Sequence, residues 1–314
     1  TYYNQGSLNN KGVEFSLNAQ IIDSSSWKWS VSGNIGVNRN EISDLGLLPA
    51  DFGCLGERVG YYGNSLGDHF GVGHIFLAGE APGLFYGYVT QGIVQKEDIT
   101  ENGIKYIKQD GSVGYYQTVN KTTPVAGDVK YVDRNGDGVV DDNDRDIIGN
   151  PNPDFTYGFQ TKVSWKSLSL SASFNGVQGR DILNVGNRYN NTPGTKSNNV
   201  TRKAFQNMWT DENPSNLYPK STFVVQNMVM DRYVEDGSYL RCSDITLSYV
   251  LPAKWTNKIG TSVYASVKNA FVITDYSGYD PEVNSFAFDG LRPGVDMNSY
   301  PTPRSFVFGL NLTF

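Results

Sequence analysis

Residues Val13-Glu14-Phe15-Ser16-Leu17-Asn18-Ala19-Gln20-Ile21 alternate without a break between apolar and polar side chains. In an extended strand successive side chains point to opposite faces, so this stretch has one apolar face and one polar face. The alternation restarts at Trp27, after the polar run Asp23-Ser24-Ser25-Ser26, and continues to Val37. The two stretches therefore predict a β-hairpin with a short polar turn.

The same period of two recurs in five further segments. They lie at 155–165, 168–175, 245–249, 262–271 and 306–314. Most of the seven predicted strands alternate for about 9 to 11 residues, which is the length of a tilted strand that crosses a bilayer. Strands of soluble proteins are usually shorter, at about five or six residues. Strand length therefore favours a membrane protein.

Short and long connections alternate between these strands. The links after the first, third and fifth strands are short, whereas the other three span residues 44–154, 181–238 and 276–303. Outer-membrane barrels join their strands by short periplasmic turns and long extracellular loops. A soluble β-sandwich has no physical reason for such an alternation. The sequence therefore predicts an all-β fold, an antiparallel transmembrane β-barrel segment of about seven strands with long extracellular loops.

Composition and charge exclude several other classes. An aromatic content of 13% and a net charge of −6 do not fit a disordered chain. Lys and Arg number 26 against 32 Asp and Glu, which leaves no net basic surface for nucleic acid. No run of about 18 apolar residues occurs, so membrane helices are not predicted. Because the chain opens Thr1-Tyr2-Tyr3 without an initiator Met, we expect any targeting segment to lie upstream.

Residues 133–144 carry the one compact motif for metal chemistry. Its spacing matches an EF-hand loop, with Gly138 at the sharp turn. The oxygen ligands expected at loop positions 1, 3, 5, 7, 9 and 12 come from Asp133, Asn135, Asp137, the Val139 carbonyl, Asp141 through water, and Asp144. Hard oxygen ligands suit Ca²⁺, so the motif predicts a structural calcium ion.

Two features of this loop depart from an EF-hand. Asp144 stands where EF-hands use Glu, so its reach as a bidentate ligand is shorter, and no helical pattern flanks the loop. The alternative is an acidic, Gly-rich turn that is held by Asx hydrogen bonds without an ion. The sequence leaves both interpretations open.

No catalytic constellation occurs in the sequence, and we predict that the protein is not an enzyme. A glycosidase needs two carboxylates across a cleft, whereas this loop gathers its carboxylates into one turn. His69 and His74 lack a third ligand at a suitable spacing, and whether Cys54 and Cys242 form a disulfide is left open. Six tyrosines of the first long loop are candidates for stacking on sugar rings or for packing the loop against itself: Tyr61, Tyr62, Tyr86, Tyr88, Tyr115 and Tyr116.

Several short segments of the chain, taken in their order along it, form a characteristic set. In the first long connection they are Gly83-Leu84-Phe85-Tyr86-Gly87-Tyr88 with Gly92-Ile93-Val94, and then Gly127-Asp128-Val129-Lys130-Tyr131, which leads into 133–138 and Ile148-Gly149-Asn150-Pro151. Later in the chain they are Gly237-Ser238-Tyr239-Leu240-Arg241 with Leu247-Ser248-Tyr249, and Asn269-Ala270-Phe271 with 275–282. The last segment is 308–314. In this order they resemble the C-terminal part of SusC-like (RagA-like) TonB-dependent outer-membrane transporters. The resemblance covers nearly the whole chain.

This resemblance carries several expectations. It implies that residues 1–314 are the C-terminal part of one transmembrane barrel domain, and that the whole barrel has about 22 strands around a plug. It also implies TonB-dependent import of glycans or peptides across the outer membrane of a Gram-negative bacterium. The expected partners are a SusD-like surface lipoprotein, the TonB complex through the missing N-terminal part, an oligosaccharide or peptide cargo, and outer-membrane lipid.

One alternative from another class remains at this point. A secreted calcium-binding β-sandwich, acting as a carbohydrate-binding or adhesive module, would also combine alternating strands with an acidic loop. Solubility without detergent separates the two classes, because a sandwich buries its apolar faces between its own sheets.

Overall fold

Seven long strands form one antiparallel sheet in the computed structural model, which describes residues 6–63, 66, 71–192, 199–221, 228–256 and 259–313. The strands are β1 (Ser7–Asp23), β2 (Trp27–Asp44), β3 (Phe155–Trp165), β4 (Leu168–Gln178), β5 (Tyr239–Val250), β6 (Gly260–Thr274) and β7 (Ser305–Thr313). Within this sheet each strand pairs only with its neighbours in the sequence. The predicted seven-stranded antiparallel arrangement is therefore confirmed; the terminal residue Phe314 and His69 lie outside the described residues.

The turns at one end of the sheet are short. Ser24 closes the β1–β2 turn, because its N–H donates to the Trp27 carbonyl at 2.8 Å. Lys166 takes a φ of +50° in the two-residue turn between β3 and β4, which is the left-handed conformation that such hairpin turns require. β1 and β2 contain 17 and 18 residues, so they are longer than predicted and extend beyond the length that a bilayer needs.

One face of the sheet is apolar and open. Val13 is 73% exposed, Phe15 61% and Phe308 79%, and no second layer covers this face in the described part of the chain. A sandwich would bury such a face against another sheet, whereas a barrel turns it toward lipid. Trp27 pairs with Trp165 at the turn end, with ring centroids 5.9 Å apart, as expected for an aromatic girdle at a membrane interface. The β-sandwich alternative is therefore wrong for the fold.

The opposite face is mostly polar, with a few apolar residues such as Val177. In the central row, Ser32 pairs with Asn18 on one side and with Gln160 on the other, and Gln160 pairs in turn with Ser173. Amide and hydroxyl side chains thus lie side by side across four strands. This face is the lumen side of the barrel segment.

The hydrophobic core lies outside the sheet, in the three long connections at 45–154, 179–238 and 275–304. These connections contain short strands at Ala50–Asp51, Glu57–Arg58, Gly60–Gly63, His74–Leu77, Leu84–Gly87, Thr90–Ile93, Ile99–Thr100, Gly103–Ile107, Val113–Tyr116, Thr118–Val119, Val129–Tyr131, Val139–Val140, Asp146–Gly149, Asp181–Asn184, Val234–Asp236 and Val295–Asp296. They also contain the helices α1 (Val185–Asn191) and α2 (Arg202–Asn207) and the short 3₁₀ turns Gly53–Leu55, Lys96–Asp98, Asp142–Asp144 and Asp231–Tyr233.

The three long connections pack on each other. Tyr131, Leu183 and Val295, one from each connection, belong to the same buried cluster and are at most 1% exposed. Leu183 also pairs in parallel with Val295, so the second and third connections share a small sheet. The long loops therefore form one packed cap at the end of the barrel segment that lies opposite the short turns. No helix of the described residues has the length and apolar character needed to cross a membrane.

Candidate functional site

The predicted calcium loop is closed by hydrogen bonds from its own side chains. The two carboxylate oxygens of Asp133 accept the backbone N–H groups of Gly136 and Gly138 at 2.6 and 2.8 Å. Asp137 accepts the N–H of Val139 at 2.8 Å. Gly136 and Gly138 take φ values of +78° and +86°, so the sharp turn depends on residues without a Cβ.

Asp144 ends the loop as a buried carboxylate. One of its oxygens accepts the N–H groups of Arg134 and Asn135 at 2.7 and 3.2 Å, and the other accepts the N–H of Asp141 at 2.8 Å. Burial raises the pKa of Asp144 to about 6, and the nearby Asp133 carboxylate adds to the rise, although the three amides oppose it. Two acidic groups thus lie close together inside the cap, which favours a cation or a proton there.

All six predicted ligands lie in this one turn, but the described residues contain no group of three or more His, Cys, Asp or Glu side chains that could hold a metal ion. Backbone amides occupy the Asp133 and Asp144 oxygens that the EF-hand pattern assigns to calcium. Val139–Val140 pairs in parallel with Thr118–Val119, so a small sheet, not a helix, supports the loop. The donor types suit Ca²⁺, and calcium binding stays a prediction.

Most of the six candidate tyrosines pack the first long loop. Tyr86, Tyr88 and Tyr116 are buried, and Tyr61 stacks on Phe76 with ring centroids 5.0 Å apart. Two of the six, Tyr62 and Tyr115, expose more than a third of their surface. Loop packing is therefore the main role of this set.

The two cysteine candidates and His74 make structural contacts. Cys54 and Cys242 are both free thiols, and the Cys54 Sγ donates to the Arg145 carbonyl at 2.7 Å. Burial lowers the pKa of His74 to about 4, so its imidazole is neutral and its Nε2–H donates to the Pro293 carbonyl at 3.1 Å. This bond joins the first long connection to the third.

A group of ion-paired residues near the mouth of the barrel, with Arg241 and Asp280 buried and Glu282 partly exposed, was not predicted from the sequence. The guanidinium of Arg241 in β5 lies 2.5 Å from Asp280 and 2.9 Å from Glu282 of the third long connection. Both segments belong to the motifs that carry the family resemblance. That they meet is not visible from the residues, because 39 positions separate Arg241 from Asp280.

The lumen side also has a polar recess near the cap, with a volume of about 470 Å³. Gly12 and Gly36 leave it open because neither contributes a side chain. Its other polar lining residues include Asn10, Glu14, Asn38, Asn40, Asn152 and Thr156. Amide groups both donate and accept hydrogen bonds and Glu14 adds a carboxylate, so this wall suits a polar ligand.

Comparison with known proteins finds relatives that match almost the whole chain. No family model matches it. The chain is 30% identical over 323 residues to TonB-dependent receptor P26 of Formosa agariphila, covering 99% of this chain and 30% of that protein. It is 32% identical over 322 residues to TonB-dependent receptor SusC of Bacteroides thetaiotaomicron, covering 99% of this chain and 27% of that protein. A solved structure of the RagAB peptide transporter superposes with a TM-score of 0.67 at 26% identity, covering 98% of this chain and 30% of that one. The chain thus spans less than a third of the length of these relatives.

Proposed function

We propose that this chain, which belongs to the SusC-like family of TonB-dependent receptors, supplies part of the barrel wall and of the extracellular cap of an outer-membrane nutrient importer. The observation that carries the proposal is the single antiparallel sheet with an open apolar face on one side and a polar face on the other. Such a sheet is stable when lipid covers the first face and an aqueous lumen meets the second. The import activity belongs to the whole protein in a Gram-negative outer membrane.

The cargo is a polar oligosaccharide or peptide. The polar face and the recess at Asn38 and Asn40 offer amide groups that can hydrogen-bond both sugar hydroxyls and peptide groups. The RagAB relative is described as a peptide transporter, and that description applies to RagAB. On the extracellular side the partner is a SusD-like lipoprotein, and energy comes from the TonB complex through the part of the protein that precedes this sheet. The relatives are receptors and a transporter by name, which agrees with a role without catalysis.

Uptake in the source bacterium tests this function. Deletion of the gene should abolish uptake of one labelled cargo class, either oligosaccharides or peptides, while growth on monosaccharides and free amino acids stays unchanged. Full-length protein supplied on a plasmid should restore uptake, and a protonophore should abolish it again. The lipoprotein partner should co-purify with the full-length protein in detergent. Unchanged uptake of both cargo classes, or uptake that the protonophore does not affect, would contradict the proposal.

We also propose that residues 133–144 bind a structural Ca²⁺ in the whole transporter. The oxygen donors at Asp133, Asn135, Asp137, Val139, Asp141 and Asp144 support it, as do the closely placed buried carboxylates of Asp133 and Asp144. To coordinate the ion, these carboxylates would share their oxygens between the backbone amides and the metal. The ion would then neutralise charge that the cap otherwise leaves buried.

Asp137→Ala should weaken Ca²⁺ binding by about tenfold or more, because it removes one of the few charged ligands. Calorimetry of the full-length protein in detergent measures this affinity, and proteolysis with and without EDTA reports the order of the first long loop. Asp110→Ala is the matched control, since Asp110 accepts the N–H of Ser112 at 2.9 Å in a similar turn of the same loop. No heat of binding from the intact protein at millimolar Ca²⁺ would rule the site out.

A further inference from the structure

The third long connection, residues 275–304, folds back onto the lumen face of the sheet; we call it the strap. Its contacts on β5 are Tyr239 and Arg241, which pair across the sheet with Val177 and Asn175 of β4. Thr156 pairs with Val177, and Thr156 also lines the polar recess, which fixes these residues to the lumen face. All of them lie at the cap end of their strands. The strap therefore enters the barrel mouth.

Charged and hydrogen-bonded contacts fasten the strap to the wall. The side chains of Arg241 and Asp280 approach to 2.5 Å and are only 6% and 4% exposed. Glu282 lies 2.9 Å from the Arg241 Nε and accepts the Tyr239 hydroxyl at 2.6 Å. The Asn175 amide donates to the same carboxylate at 3.3 Å, and Arg180 donates to the Pro281 carbonyl. Side chains from both β4 and β5 thus hold one short segment, 280–282.

The rest of the strap is joined to the other two long connections, and its two ends are joined to each other. Val295 pairs with Leu183, and the Pro293 carbonyl accepts from His74. Asp280 also accepts the backbone N–H of Thr302 at 3.1 Å, three residues before β7 begins. The strap is consequently held along its length, and it connects the wall of the barrel with the loops that cover it.

A simple surface loop would not need a buried ion pair such as that of Arg241 and Asp280. A loop that projects into water leaves its charged groups solvated, whereas burying Arg241 and Asp280 removes both from water and needs close partners in compensation. Arg241 pairs within the sheet through its backbone, and the contact between its side chain and Asp280 adds nothing to that strand pairing. Their geometry instead determines where segment 280–282 lies in the mouth.

We propose that the strap narrows the extracellular mouth of the barrel and that Arg241 sets the size of solute admitted to the lumen. This inference rests on the proposed role as an importer, because it takes the polar face as the cargo path. Arg241 acts as a positioning residue: it holds segment 280–282 against the wall and need not touch the cargo. Releasing the segment should widen the mouth.

Arg241→Met and Glu282→Gln in the full-length protein test the proposal. Arg241→Met removes the cation, while Glu282→Gln removes one carboxylate charge and keeps a group that can accept from Tyr239. Lys268→Met is the matched control, because Lys268 pairs with Asp244 at 2.7 Å on the same face but holds no loop. Heat-dependent mobility in electrophoresis confirms that each barrel is folded, and Glu282→Gln carries the test if Arg241→Met does not fold.

Two measurements in intact cells test the anchoring of the strap and the size of the mouth separately. Extracellular protease should cleave the strap at least about tenfold faster in the release variants, because each variant removes a charged group that fastens segment 280–282 to the wall, which favours local opening. A cysteine at Gln160, an exposed residue in the next inward-facing row of the sheet, reports access to the lumen. The labelling ratio is the yield with a bulky maleimide divided by the yield with a small one. This ratio should rise in the release variants and stay at the parent value in Lys268→Met.

Parent-like cleavage in a folded release variant would overturn the anchoring role. Faster cleavage with an unchanged labelling ratio would overturn the aperture role, as would a Gln160→Cys protein that neither reagent labels in any variant. Labelling of protein without Gln160→Cys gives the background from Cys54 and Cys242. Neither readout needs cargo or TonB, so a negative result here is distinct from a failure of the uptake experiment.

Discussion

Phe159→Arg should destabilise the membrane-inserted barrel by at least about 2–4 kcal/mol, the cost of placing Arg on the lipid face near the bilayer midplane. Phe159 lies on the apolar face and is 45% exposed, about midway along β3 between the aromatic residues Phe155 and Trp165. The substitution also removes a contact with the Phe174 ring, whose centroid is 6.2 Å away. Equilibrium unfolding of the full-length protein in lipid vesicles measures the change.

Gln160→Arg is the matched control for this prediction. Gln160 is the next residue on the same strand, and it points to the polar lumen face, where a guanidinium stays hydrated. Its effect should be within about 0.5 kcal/mol of zero, as for an ordinary exposed substitution. Equal destabilisation by both substitutions would contradict the assignment of the two faces.

The chain of 314 residues should not fold as a soluble monomer by itself. β1 and β7 form the two free edges of the described sheet, and each unpaired backbone group in lipid costs several kcal/mol. In water, the open apolar face would drive association instead. The full-length protein in detergent should melt cooperatively, whereas residues 1–314 without detergent should aggregate or remain without a cooperative transition.

Sedimentation and thermal melting monitored by circular dichroism decide this second prediction. A monodisperse, cooperatively melting monomer of residues 1–314 in detergent-free buffer would mean that the apolar face is satisfied within the chain. That result would remove the physical basis of the membrane assignment.

The strands were predictable because their information is local. The alternation at 13–21 and 155–165 assigns each side chain to a face, and the turn at Lys166 and Ser167 fixes the pairing of β3 with β4. The full length of β2 was not predictable, because Asn38, Arg39, Asn40 and Glu41 are polar on both faces. A strand that has left the bilayer needs no apolar face, so its sequence loses the period of two.

The candidate sites also differ in whether neighbouring or distant residues of the sequence form them. Gly136 and Gly138 mark the turn of the acidic loop in the sequence, and the structure has that turn at those residues. The amides that bind Asp133 and Asp144 all belong to residues 134–141, so the geometry of this site is set within the loop itself. The contact between Arg241 and Asp280 is non-local, since it requires the third long connection to fold back onto β5.

The alternation of short turns and long connections also determines how fast different parts of the sheet can assemble. Closing the hairpin between β1 and β2 orders a turn of only three residues, Ser24 to Ser26. Bringing β2 to β3 closes a loop of about 110 residues, which costs about 3 kcal/mol more in chain entropy. Hairpins should therefore form first, and their docking should be the slow step. Because the first long connection folds on a core of its own, its early collapse shortens the effective loop, so the cap should accelerate closure of the wall beneath it.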